Sequence, residues 1–180
     1  MSVESLTRVL PPPQAPLETG LFDEWEQVEL TVGVSLPHDF KEFIKVFGTG
    51  RICGLFYLLN PFSKNEHLNL INQVPIRLDA LSEIRKGYPA EVPYPIFPEP
   101  SGLLPWAYTD NGDVFYWRTQ GAPDAWTVVL QDTGFEIWEE YNDSLSGFLE
   151  RLLGGEIRSV ILGTEILSNP DRFSSSSFLP

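Results

Sequence analysis

The 180-residue sequence has a single cysteine, few basic residues and no long apolar run. Because Cys53 is alone, no intramolecular disulfide can form, and a CxxC metal or redox site is excluded. Only 12 Lys and Arg stand against 25 Asp and Glu, and this net charge of −13 argues against nucleic-acid binding, which needs clustered basic side chains. No apolar signal segment or membrane-length apolar stretch occurs, so we expect a cytoplasmic protein without membrane contacts.

The sequence also lacks the residue patterns of common catalytic and metal sites. His38 and His67 lie far apart, without metal-ligand spacing. No nucleophile-elbow, phosphate-binding or dinucleotide-binding glycine motif occurs. A pair of Cys53 with a histidine stays open as an alternative, because such residues need only meet in space, but the apolar sequence around Cys53 favours a buried, inert thiol. We therefore expect no metal, no cofactor and no enzymatic activity.

The length and an apolar fraction of 42% predict one globular domain with a substantial core. Residues 1–20 contain Pro11-Pro12-Pro13 and Pro16, and we interpret them as an extended Pro-rich leader without packed structure. Residues 21–167 then form the folded domain. Residues 168–180 carry the run Ser174–Ser177, which is typical of a mobile polar tail.

Two helices are predicted early in this domain. The first covers residues 21–32, with Leu21, Trp25, Val28 and Val32 on one face and Gly33 as its cap. The second follows Leu36-Pro37, and its apolar residues recur at helical spacing until Gly48 ends the helix. Those residues are Phe40, Phe43, Ile44 and Phe47. The spacing favours core packing over a ligand pocket.

The middle of the chain gives weaker signals. Residues 53–59 predict a central strand. Ser63 and Glu66 have capping-box spacing, so a helix should begin near Lys64, break at Pro75 and restart up to about Lys86. Residues 88–105 hold six prolines and predict an ordered surface loop.

The segment 103–141 predicts an antiparallel sheet. It contains four of the five tryptophans, and turn residues divide it at 110–113, 121–124 and 132–134. A last helix should follow from Asp143 or Ser144 to Leu153. The expected fold is a single α+β domain in which α-helices flank an antiparallel β-sheet.

Acidic residues concentrate in the second half of this sheet. Between Thr119 and Glu150 there are seven acids and no Lys or Arg. If Phe135 and Ile137 face the core, strand alternation leaves Trp138 outward between Glu136 and Glu140. An exposed aromatic among acids suits a basic partner. The candidate protein-binding residues are Trp138, Glu136, Glu140, Asp132, Asp124 and Glu139. Two alternatives stay open: the acidity aids solubility only, or the Pro-rich loop or the tail covers Trp138.

Three motifs lie in a characteristic order: LPHDFKEFIKVFGTG, then LLPWAYTDNGDVFYW, then EEYNDSLSGFLERLLGG. With them, residues 21–155 resemble the SUKH superfamily, Smi/Knr type. The resemblance implies a single α+β domain with an antiparallel sheet flanked by helices. Many bacterial members are immunity proteins that bind and neutralise a cognate toxin, often a nuclease. A fungal relative regulates cell-wall synthesis through protein contacts.

The resemblance and the charge distribution together lead to two functional hypotheses. The first is a non-enzymatic immunity protein that holds a basic toxin domain against the acidic, aromatic surface of the sheet. The alternative is a regulatory scaffold that binds a host protein through the Pro-rich leader or the tail. Truncation of residues 1–20 and 168–180 should abolish scaffolding and spare immunity.

Overall fold

The computed structural model describes residues 2–170 and 172–176, which form six α-helices, one 3-10 turn (Pro123–Ala125) and seven strands. The helices are α1 (Val3–Leu6), α2 (Glu24–Val32), α3 (His38–Phe47), α4 (Leu70–Gly87), α5 (Leu145–Leu153) and α6 (Glu165–Ser168). The strands are β1 (Gly50–Ile52), β2 (Phe56–Leu58), β3 (Leu103–Thr109), β4 (Val114–Arg118), β5 (Thr127–Gln131), β6 (Trp138–Tyr141) and β7 (Phe173–Ser175). No helix in this part of the chain is long and apolar enough to cross a membrane.

All seven strands belong to one antiparallel sheet in the order β6-β5-β4-β3-β2-β1-β7. Strands β3 to β6 are consecutive neighbours joined by the predicted turns. Gly112 in the first turn has a φ of 95°, a conformation that glycine adopts without steric cost. The predicted α+β domain with an antiparallel sheet and flanking helices is confirmed.

Both faces of the sheet are covered. Along β4, Phe115 and Trp117 point to a first face, whereas Val114 and Tyr116 point to a second, as the pleat of a strand requires. The first face packs against α1, α2, α3 and α5 and forms the larger core. The second face is covered by the later part of α4 and by the loop 88–102. The loop thus supplies core residues rather than only lying on the surface.

Helices α2, α3 and α5 agree with the sequence-based prediction. The four apolar residues of the α3 stripe are each fully buried. Gly33 caps α2 in the left-handed conformation, and Ser144 caps α5 by accepting a hydrogen bond from the Gly147 amide. One detail differs: α2 begins at Glu24, and Leu21, expected on its buried face, is exposed.

In the middle of the chain, the structure corrects two predictions. Residues 53–59 are not one strand, because a turn at Cys53 and Gly54 separates β1 from β2. The Ser63 hydroxyl accepts from the amide of Asn65, so it forms a local turn and no helix starts there. Instead Asn69 caps α4, and Pro75 lies inside that helix without ending it.

The structure corrects our interpretation of both terminal segments. The prediction that residues 1–20 lack packed structure is wrong for α1, whose Leu6 is fully buried, as is Leu10 behind it. The prediction of a mobile tail is wrong for Phe173–Ser175, which pairs with β1. The Phe173 ring packs on that of Phe47, at 5.3 Å between centroids, and anchors β7. The amide of Ser176 donates to the carbonyl oxygen of Thr49 at 3.3 Å, and the rest of the predicted tail, residues 171 and 177–180, lies outside the described residues.

Candidate protein-binding site

The turn between β5 and β6 is built on Asp132. Its carboxylate accepts hydrogen bonds from the amide of Ile137 at 2.6 Å and from the amide of Gly134 at 3.0 Å. Asp132 therefore fixes the backbone that presents the neighbouring acids. Glu136 lies in this turn and is exposed, as is the neighbouring Ile137.

Trp138 opens β6 and lies on the second face, partly buried. Its indole Nε1 donates to the carbonyl oxygen of Glu91 at 3.0 Å. Its ring packs 5.2 Å from Tyr94, 6.3 Å from Tyr116 and 6.5 Å from Phe135, measured between centroids. Phe135 packs against the core of the second face, but Ile137, which was expected to face the core with it, is exposed. The expectation that Trp138 stands outward is wrong, because Trp138 packs on the same face as Phe135 and the Pro-rich loop partly covers it, as the alternative held.

Glu140 lies two residues further, on the same side as Trp138, and is exposed. Its carboxylate lies 2.6 Å from Nη1 of Arg118 and accepts from the Tyr94 hydroxyl at 3.3 Å. Burial, and then the neighbouring Glu140 carboxylate, raise the pKa of Tyr94. Glu140 is therefore partly neutralised at the surface.

Glu139 belongs to the opposite face. It accepts from the Ser159 hydroxyl at 2.6 Å, from the Val160 amide at 2.7 Å and from the Tyr141 hydroxyl at 2.8 Å. Burial, and then the hydrogen bond to Glu139, raise the pKa of Tyr141. Glu139 thus holds the connection after α5 against the sheet.

Asp124 lies at the other end of β5, in the 3-10 turn. Its carboxylate accepts from the amide of His38 at 2.7 Å, at the first residue of α3. An acidic oxygen at a helix N-terminus satisfies a free amide and complements the helix dipole. The structure therefore brings Trp138, Glu140 and the turn of Asp132 and Glu136 together but leaves Asp124 apart.

The sequence-based count overlooked two arginines at the ends of the acidic segment. Arg118 pairs with Glu140, and Arg151 lies 2.6 Å from Asp143. Extending the counted window by one residue at each end would have found both. Among the residues that the structure describes, Glu136 forms no salt bridge, and no three His, Cys, Asp or Glu residues are grouped so that they could hold a metal ion.

We call the surface formed by Asp132, Glu136 and Glu140 the acidic sheet end; its exposed carboxylates can form ion pairs with basic side chains. A family model described as SUKH_6: SMI1-KNR4 cell-wall matches residues 23–149. The chain belongs to this SUKH family. The matched segment runs from the start of α2 into α5, so α1, α6 and β7 lie outside it. No curated protein and no solved structure matches the chain.

Proposed function

We propose that this SUKH protein is a non-enzymatic immunity protein that binds a basic toxin domain in the cytoplasm and neutralises it. The observation that carries the proposal is the acidic sheet end, where Glu136 is exposed on a turn fixed by Asp132 and Glu140 is exposed on the adjoining strand β6. The family membership and the net charge of −13 support a basic protein partner.

Each candidate residue takes a distinct part in this proposal. Glu136 and Glu140 contact basic side chains of the toxin. Trp138 supports the surface from below, because its ring packs on Tyr94 and its indole nitrogen holds the loop. Asp132, Glu139 and Asp124 act indirectly, since their carboxylates accept backbone amides that fix the surrounding segments.

Co-expression tests the proposed immunity. The probe is a candidate toxin domain, taken from the C-terminus of a large multidomain protein where a neighbouring gene encodes one. We expect the chain to restore growth to cells that produce this domain and to bind it in vitro. The association rate constant should fall as salt rises, because screening weakens steering between opposite charges. Absence of both rescue and binding would contradict the immunity role, and a salt-independent rate constant would contradict the acidic surface as its cause.

A regulatory scaffold is the second candidate, supported by the cell-wall description of the matched family model and by an exposed polyproline segment. Pro11, Pro12 and Pro16 are exposed between α1 and Leu17, where a partner domain can reach them. Because α1 is packed, truncating residues 1–20 no longer separates the hypotheses. Changing these three prolines to alanine does: a scaffold loses its partner, whereas an immunity protein still neutralises the toxin.

A further inference from the structure

Large apolar side chains are exposed along α2. Phe22, just before this helix, is 96% exposed, and Leu30, two turns later, is 70% exposed. Glu26 and Leu30 are four residues apart in α2 and therefore lie on one side of the helix, and Phe22 lies in the turn that leads into it. Leu21 adds a further exposed apolar group at 66%. Single exposed apolar residues are common, but several together on one side indicate a contact surface.

Leu21, Phe22 and Glu26 border a groove between α2 and α3, and the α3 side of this groove extends from His38 to Lys45. The groove has a volume of about 630 Å³, and Trp25 forms part of its floor. A shallower depression that reaches Leu30 shares Glu26 and Glu29 with it, so the two are continuous. We call this surface, bordered by Leu21, Phe22, Trp25, Glu26 and Leu30, the α2 groove. It lies on the first face of the sheet, opposite Trp138.

The groove is preformed by local contacts. The Leu21 amide donates to the carboxylate of Glu24 at 2.6 Å, which fixes the chain entering α2. Gly20 has a φ of 68°, and a Cβ there would meet the Phe62 ring at 2.2 Å, so the backbone is closely packed at this point. A rigid surface loses little conformational entropy when a partner binds.

The charges around the groove select a basic partner. Lys41 lies 2.5 Å from Glu29, and Lys45 lies 3.3 Å from Glu42, so these cations are already paired. Asp23 and Glu26 also line the groove, and within the described part of the chain neither forms a salt bridge. Two uncompensated carboxylates therefore flank the apolar groups.

We propose that the α2 groove docks a basic amphipathic segment of a partner protein. An apolar side chain of that segment packs between Phe22 and Trp25, and a second packs on Leu30. Its Lys or Arg side chains pair with Asp23 and Glu26. Helix-in-groove recognition uses this combination of apolar anchors and flanking charge. The groove is independent of the acidic sheet end, so it provides a second docking surface whether or not the partner there is a toxin.

A designed peptide tests the groove directly. The probe is a synthetic 14-residue helix with leucine on one face and lysine elsewhere, titrated at physiological ionic strength into the ¹⁵N-labelled protein. We expect shifts in the amide signals of α2 and of residues 38–45 in α3. The double variant Phe22→Ala, Leu30→Ala should raise the dissociation constant at least about tenfold, because truncation removes the apolar anchors.

A matched double variant separates the groove from general attraction to an acidic protein. Tyr88→Ala with Ile76→Ala removes two exposed large side chains, 61% and 59% exposed, and leaves the net charge unchanged. Ile76 lies in α4 and Tyr88 directly follows this helix. We expect less than about a twofold effect on binding, since hot-spot energy is local. Equal losses in the two double variants would overturn the proposal.

Two further results would also overturn it. A peptide with serine in place of leucine should bind at least about tenfold more weakly, and equal binding would mean that charge alone attracts it. A dimer in sedimentation velocity that Phe22→Ala dissociates would assign the groove to a second copy of this chain. Failure of toxin rescue, by contrast, bears only on the acidic sheet end.

Discussion

Trp138 donates a hydrogen bond to the carbonyl oxygen of Glu91 and thereby joins the last hairpin strand to the Pro-rich loop. Val92 and Ile96 of the same loop are buried against the second face of the sheet. The loop is therefore part of the fold, and Trp138 links it to β6. This relationship changes the expected effect of mutating Trp138.

We predict that Trp138→Ala lowers the free energy of unfolding by about 2–3 kcal/mol, somewhat less than truncation of a fully buried Trp. Trp138→Phe keeps a ring against Tyr94 and loses the hydrogen bond to Glu91, so it should cost about 1 kcal/mol. Urea unfolding followed by circular dichroism measures both. An unchanged midpoint for the alanine variant, with a weakened toxin complex, would instead restore Trp138 as a direct contact residue.

Helix α1 gives the second prediction. Leu6 is fully buried where α1 packs on α5, and the Ser5 hydroxyl donates to the carboxylate of Glu150 at 2.6 Å. We expect Leu6→Ala to lower the free energy of unfolding by about 2–5 kcal/mol, the range for truncating a buried leucine. Thermal and urea unfolding test this. The control is Leu30→Ala, which truncates an exposed side chain of α2. Equal stability of the two variants would show that α1 does not belong to the cooperative unit.

The sequence predicted the elements whose patterns are local. The α3 stripe from Phe40 to Phe47 and the turn at Gly112 needed only side-chain periodicity and turn chemistry. The packing of α1 and the pairing of Phe173–Ser175 with β1 depend on residues distant in the chain. The Pro-rich sequence after α1 and the Ser-rich sequence of β7 instead suggested segments without packed structure. Short elements held by long-range contacts carry too little local signal to be recognised.

The candidate site was predictable only in part. Alternation correctly separated Trp138 and Glu140 from Glu139, because the side chains of a strand alternate. It could not show that a loop 47 residues earlier in the chain covers Trp138, or that Asp124 caps α3. Leu30 had a readable signal, because its position places it among the polar residues of α2 and off the face of Trp25, Val28 and Val32.

The third prediction concerns Asp124. It tests whether this carboxylate stabilises the fold or contacts a partner directly. Its carboxylate accepts from the His38 amide at the start of α3. Asp124→Ala should lower the free energy of unfolding by about 1 kcal/mol, the usual cost of losing a helix cap. Asp124→Asn keeps an acceptor oxygen and should retain most of that stability. Chemical denaturation compares the three proteins.

The same pair of variants also addresses toxin binding. If Asp124 contacts a basic partner directly, the asparagine variant loses the charge and should slow association, although the fold is stable. If Asp124 acts only through α3, the asparagine variant associates at the wild-type rate. Stopped-flow association at low salt separates these outcomes, because steering is strongest there.

Tyr116 gives a prediction for alkaline pH. Burial raises the pKa of its hydroxyl, with a smaller opposing effect from Arg77. An unfolded tyrosine loses its proton near pH ~10, whereas folded Tyr116 keeps it, so above this pH the unfolded state binds fewer protons. The free energy of unfolding should therefore fall above pH ~10, by about 1.4 kcal/mol per pH unit for this group. Urea unfolding at several alkaline pH values should show a shallower fall for Tyr116→Phe. Tyr88→Phe on the exposed end of α4 is the control, and equal slopes in both variants would contradict burial as the cause.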